Sequence, residues 1–255
     1  MITFAQLTRL ADRDGVDNAT VERDYVLMQV LAAVYSGERS PNLVFKGGTL
    51  LRACYFDDYR YSADLDFSAT DGDASEAIEG IVSALVTCRD TVGFARLELA
   101  SRSGQSHVVY QRPQGRAGRI KLNVSEDEIV INPVPMRLLD RYDDVDSSSE
   151  LSAYSLIEVT SEKLRCIIQR LLARDLFDLH YLLATGTVDA TDAWQMFERK
   201  AEHKGLNAGD FWGELEAKMP RYRDRWLAEL SGYIQEPPPF ERVERETMRV
   251  LRRFR

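Results

Sequence analysis

The stretch LVFKGGTLLRACYFDDYRYSADLDFSAT, residues 43–70, decides how the chain is read. An apolar run from Leu43 to Lys46 meets two adjacent glycines, Gly47 and Gly48, and a later run carries Asp64 and Asp66 one residue apart. LVFK has the length and composition of a short buried strand, GG of the turn after it, and TLLRACYF of a helix start. ADLDFSA reads as the next strand. Residues i and i+2 of a strand share a face. Asp64 and Asp66 therefore stand side by side, with Leu65 turned to the core.

Each feature has a local cost that points to a ligand. Two neighbouring carboxylates repel, and a divalent cation relieves the repulsion. Magnesium takes hard oxygen ligands, commonly one or two carboxylates completed by substrate phosphates. Paired ions align an attacking hydroxyl with a leaving pyrophosphate. Glycines between a strand and a helix let backbone N–H groups approach a ligand closely, and the helix start favours phosphate. Thr49 adds a hydroxyl, and Arg60 and Ser62 add a cation and a second hydroxyl just upstream of the carboxylates. The glycines fit neither a Walker loop nor G-x-G-x-x-G, so an ordinary P-loop mechanism is not expected. The order strand, Gly-Gly-Thr, helix, Arg-x-Ser-x-Asp-x-Asp predicts a phosphate cradle beside a metal site.

Outward from this stretch, Thr3 to Asp14 reads as a short helix, and Thr20 as the cap of a second, VERDYVLMQVLAAVYSG. Ser75 to Arg89 has helical periodicity. Strand-like runs follow at 95–101, 107–112 and 119–125, with IVINPV as a possible fourth. Residues 140–150, DRYDDVDSSSE, are acidic, serine-rich and poor in apolar side chains, and read as a linker. From Thr160 onward the chain reads as helical. The expected organisation is α+β: a mixed-sheet domain over residues 1–150 and a helical domain over 151–255.

The 255 residues carry a net charge of −8, so a broadly basic, nucleic-acid-coating surface is not expected. Local basic patches remain in Arg112, Arg116, Arg119 and Lys121, and in the tail with Arg242, Arg245, Arg249, Arg252, Arg253 and Arg255. Cys54, Cys88 and Cys166 are widely spaced and suit a reducing compartment. His107, His180 and His203 are scattered, so a zinc site is not expected. With no long apolar span and no signal-like N-terminus, the expectation is a cytoplasmic protein without membrane contact. Trp194, Trp212 and Trp226 are expected as core anchors, His180 as packing, and Cys54 as buried.

FKGGT-LLRACYFDDY-RYSADLDF resembles the signature of the AbiEii/AbiGii-type nucleotidyltransferase toxins, which include the MenT-like enzymes and belong to the polymerase-β-like superfamily. SEKLRCIIQRLLARDLFDL, residues 161–179, resembles the second conserved block of that family. The resemblance implies a polymerase-β-like core followed by helices, and magnesium-dependent transfer of NMP from an NTP. It implies a tRNA 3′ end as acceptor and a cognate antitoxin as partner. By position, Asp64 and Asp66 would hold metal, and Gly47, Gly48 and Thr49 the phosphates. Arg60, Ser62, Lys46 and Lys121 join the nucleotide-binding candidates. Lys163 would contact phosphates, and Asp175 or Asp178 would complete the site.

Helical geometry bears on that last choice. On one continuous helix, Lys163, Ile167, Arg170, Arg174 and Asp178 share a stripe and Asp175 falls off it; a break before Arg174 would change the choice. The superfamily often supplies a third metal-binding carboxylate from a later strand. The matching strand is RIKLNVS, residues 119–125, and it offers Asn123, a weaker neutral ligand, on the face of Lys121. Two other functions fit the same residues: attachment of AMP or UMP to a protein hydroxyl, and a non-catalytic nucleotide-binding module.

Overall fold

The computed structural model describes residues 2–36, 42–70, 73–92, 94–99, 106–111 and 117–255. Arg112 and Arg116 of the first basic cluster lie outside the described residues, as does the side chain of Cys88. Contacts divide the chain into two compact units, Met1–Ala153 and Tyr154–Arg255.

Unit 1 begins with α1 (Phe4–Asp14), which the sequence leads one to expect. Thr3 caps it through the amide of Gln6, and the Gln6 side chain returns the bond to the amide of Thr3. In α2 (Asn18–Ser36), the cap is Asp17 rather than Thr20: the Asp17 carboxylate accepts from the Thr20 amide at 2.6 Å. Thr20 lies inside the first turn because the helix starts earlier than its apolar periodicity. α2 is buried on nearly all sides, as its run of Val, Leu and Ala requires.

β1 (Leu43–Lys46) leads into α3 (Gly47–Leu50), which widens into one π-helical turn over Leu51–Tyr55. β2 (Asp64–Ala69) follows, then α4 (Ala74–Val92), β3 (Phe94–Leu99), β4 (Ser106–Gln111) and β5 (Ala117–Ser125). The expected fourth strand is displaced: β6 is Pro133–Arg137, and only its first residues belong to IVINPV. β7 (Glu150–Tyr154) was not expected at all.

Among the described residues, the strands form one mixed sheet of seven in the order β3-β4-β5-β2-β1-β7-β6. β1 and β2 run antiparallel, whereas β2 and β5 run parallel. A parallel neighbour needs a crossover, and α4 supplies it on the way to the β3-β4-β5 meander. Phe45, Leu65, Phe67, Ile120 and Leu122 are buried on this sheet, with the Phe45 and Phe67 rings 5.4 Å apart across the β1–β2 pair. This alternation leaves the intervening polar side chains on the other face.

The segment read as a linker is stitched into unit 1. Tyr142 and Val145 are buried, and the Tyr142 hydroxyl donates to Asp24 at 2.9 Å. The Arg141 guanidinium donates to the carbonyls of Arg52 and Phe56 at 2.8 and 2.6 Å. Its acidic and serine-rich composition hid three anchoring side chains.

Unit 2 is helical: α5 (Leu156–Gln169), α6 (Ala173–Ala184), α7 (Ala190–His203), α8 (Phe211–Leu230) and α9 (Phe240–Leu251). Trp194 and Trp226 are buried, as anchors should be, but Trp212 is only half-buried and donates to the Phe254 carbonyl at 3.3 Å. His180 does more than pack: its Nε2 lies 2.8 Å from Glu246 Oε2. Cys54 is buried, which pushes its thiol up to about 12 and leaves it unreactive. Among the described residues, no helix is long and apolar enough to cross a membrane.

Candidate active site

Sheet register decides what stands beside the paired aspartates. Lys46 of β1 is opposite Asp66, and Asp66 is opposite Asn123 of β5. One step along, Asp64 is opposite Lys121, and Lys121 is opposite His107 of β4. Two polar rows thus cross the same sheet face, Lys46–Asp66–Asn123 and Asp64–Lys121–His107. Asp64 and Asp66 are half-buried, and between them Leu65 is fully buried on the opposite face. The expected common face for the two acids is present.

Asn123 is tied directly to the acids. Its Nδ2 donates to Asp66 Oδ1 at 2.7 Å. Lys46 Nζ donates to Ser125 Oγ at 3.1 Å and lies 3.8 Å from Glu128 Oε1, so its buried charge is drawn toward the end of β5.

The glycines fit the same place for steric reasons. Gly47 has φ +83°, and a Cβ there would lie 2.7 Å from Asp66 Oδ2. Only a residue without a side chain allows both the left-handed backbone and the close carboxylate. A Cβ on Gly48 would lie 2.6 Å from Arg60 Nη2 and 3.4 Å from Ser62 Oγ. Arg60 and Ser62 are therefore packed against the start of α3, and both are buried. No side chain caps that helix start. The Thr49 hydroxyl donates to the backbone carbonyl of Asp64, fastening α3 to the start of β2.

The structure thus brings Gly47, Gly48, Arg60, Ser62, Asp64, Asp66, Lys46, Lys121 and Asn123 into one neighbourhood of unit 1. One neighbour escaped sequence reading. His107 enters only through the β4–β5 register, which no local pattern reveals. The Asn123–Asp66 bond likewise depends on β5 lying beside β2, although alternation along β5 already placed Asn123 and Lys121 together.

The donor set suits magnesium in the ordinary way: two half-exposed carboxylates on one strand, with substrate phosphates left to complete the shell. Among the described residues, no group of three or more His, Cys, Asp or Glu side chains is gathered to hold a metal by itself.

In unit 2, the continuous helix expected through residue 178 is broken. α5 ends at Gln169 and α6 begins at Ala173. The break turns α6 so that both aspartates reach Lys163: Nζ lies 2.8 Å from Asp175 Oδ1 and 2.7 Å from Asp178 Oδ2. Arg170, in the break, donates through Nε to Asp175 Oδ2 at 2.7 Å. Burial alone would raise the Asp175 carboxyl, but the Lys163 charge and the Arg170 hydrogen bond overcome it and hold the group well below the usual carboxylate range. Asp175 and Asp178 thus both pair with Lys163.

Comparison with known proteins bears on the family and the fold. The family model described as "Nucleotidyl transferase AbiEii toxin, Type IV TA system" matches residues 29–248. Among solved structures, the chain is similar to MenT4, a nucleotidyltransferase toxin of Mycobacterium tuberculosis, with TM-score 0.72 and 20% identity over 100% of this chain and 89% of that one. It is also similar to a putative nucleotidyltransferase from H. pylori, with TM-score 0.59 and 16% identity over 93% of this chain and 95% of that one. At these identities the likeness is one of fold. No curated protein sequence matches the chain. Because the family model spans the glycine turn, the paired aspartates and the Lys163 block alike, the chain belongs to the AbiEii nucleotidyltransferase toxin family of type IV toxin–antitoxin systems.

Proposed function

We propose that the chain transfers a nucleotidyl group from an NTP to the 3′ end of tRNA, in the cytoplasm, and so blocks translation until a cognate antitoxin neutralises it. The observation that carries this reading is the contact geometry of Gly47 with Asp66: a glycine turn between strand and helix lies directly against one carboxylate of the Asp64–Asp66 pair.

Asp64 and Asp66 are the groups that would hold magnesium. When bound, the ion offsets the two carboxylate charges and the charge that develops on the transferred phosphate. The chain's own groups do the positioning. The Gly47–Gly48 backbone offers N–H donors at an uncapped helix start, and Arg60 places a guanidinium beside it. Lys121, in the Asp64 row, is the second cation of this face. The acceptor hydroxyl forms a bond to the α-phosphorus, and the bond to pyrophosphate breaks. Asn123 is an amide and takes no proton, so its part is to hold the Asp66 carboxylate in place. A role for Lys163 toward the nucleotide's phosphates, with Asp175 and Asp178 holding its ammonium, is proposed from the family resemblance.

The test is incubation with labelled NTPs, magnesium and total RNA. Label on tRNA-sized species supports the reading, and label on protein would reassign the acceptor to a protein hydroxyl. NTP binding with no pyrophosphate release would make the chain a binding module.

A further inference from the structure

Residues 240–255, which comprise α9 and the turn after it, hold six arginines and three glutamates in a protein of net charge −8. All three glutamates are engaged. Glu241 and Glu244 face Arg223 at 3.6 and 3.0 Å, and Glu246 meets Arg242 at 3.1 Å and His180 at 2.8 Å. Arg255 pairs with Glu216 at 3.1 Å, and Arg253 lies over the Phe254 ring. Arg245, Arg249 and Arg252 differ. They are exposed, and none has a carboxylate partner among the described residues.

These arginines form a stripe. At 3.6 residues per turn they fall within an arc of about 60°, and they rise about 6 Å and then about 4.5 Å along the axis. The buried side chains Phe240, Val243, Thr247 and Leu251 occupy the opposite side of the helix. The helix is therefore anchored by one face and offers three unneutralised guanidinium groups on the other. The acidic excess lies elsewhere: residues 154–255 contain 17 basic and 17 acidic side chains, whereas residues 1–153 contain 16 and 24.

The chemistry of the face selects its partner. Its outward positions are arginine and glutamate, without the apolar centre that protein interfaces bury. A planar guanidinium fork matches phosphate oxygens in a bidentate manner. We propose that Arg245, Arg249 and Arg252 bind the phosphodiester backbone of RNA, and so hold the acceptor strand without reading its sequence. This inference rests on the RNA-acceptor reading given above.

The experiment is binding of fluorescently labelled total tRNA to the full chain, without NTP, across a range of salt. The wild type should show log affinity falling linearly with log salt. The triple variant Arg245→Gln/Arg249→Gln/Arg252→Gln should lose about 2 from the magnitude of that slope and about tenfold or more in affinity near 0.1 M salt. Its melting temperature should be unchanged, since all three side chains are exposed. Arg199→Gln, at an exposed position of α7, should leave the slope as it was. A triple variant with the wild-type slope and affinity overturns the proposal, as does a wild type that binds no tRNA. If the triple variant loses polyglutamate binding but keeps tRNA, the face serves an acidic protein and the proposal falls. Because binding is read without transfer, an intact stripe effect with no RNA labelling counts against the transferase reading and not against the stripe.

Discussion

Asn123 donates its side-chain amide to Asp66 at 2.7 Å, from the strand that runs parallel beside it. A neutral donor occupies the place where a third carboxylate would crowd the other two. Replacing it with Asn123→Asp removes the donor and adds a like charge. Without metal, the variant should be less stable than wild type by about 1–3 kcal/mol. With magnesium and NTP its melting temperature should rise more than that of the wild type, because the extra charge is then satisfied. Thermal melts with and without the ion check both signs, and equal shifts would separate Asn123 from the metal site.

The paired aspartates should be individually indispensable to transfer. Asp64→Ala and Asp66→Ala are each expected to lower the rate of label incorporation by at least about 10²-fold. Labelling at the wild-type rate by either variant would remove that residue from the reaction.

Gly47 is the position where a methyl group does the most damage. Gly47→Ala forces a side chain into a φ of +83°, which costs about 1–2 kcal/mol. It also presses a Cβ to 2.7 Å from Asp66 Oδ2. Gly48→Ala displaces the end of the Arg60 side chain instead. Its expected signature is a smaller loss of melting temperature with weakened NTP binding, measured by titration calorimetry.

The Arg52–Asp24 pair inside unit 1 should be structural. Arg52 Nε donates to Asp24 at 2.6 Å, Arg52 stacks 3.6 Å from the Tyr61 ring centroid, and both charged groups are buried. Asp24→Ala leaves the guanidinium buried without its carboxylate and is expected to cost about 3–5 kcal/mol. Urea denaturation measures this, and a loss below 1 kcal/mol would place the pair among weak surface bridges.

Acid should loosen unit 2 through Asp175. The folded carboxyl lies below its ordinary value of 3.8, so its contribution to stability is complete above that value and drains as pH falls toward the folded pKa. Asp175→Asn should therefore show a flatter stability curve below about pH 4 than the wild type. Parallel curves from denaturant melts at stepped pH would contradict the assignment. Lys163→Met, which removes the cation between two buried carboxylates, should destabilise the unit by about 3–5 kcal/mol.

Local order was legible in the residues themselves. Alternation with a period of two sets Asp64 and Asp66 on one face and Leu65 on the other whatever lies beside the strand. The Gly-Gly turn, the helix from Thr3 and the helical character after Thr160 follow from equally local rules, because each depends on neighbours within a few positions. Tertiary structure decided the rest. Which residues flank the aspartates depends on β1 and β5 being the neighbours of β2, and on the register of each pair. Lys46, Asn123 and His107 acquire their places only from that order. The break at residues 170–172 likewise turns Asp175 onto Lys163, and helical periodicity alone does not reveal that break. The physical reason is the range of the forces. Backbone sterics and side-chain period act along the chain, whereas strand pairing and buried charge require groups distant in sequence to meet.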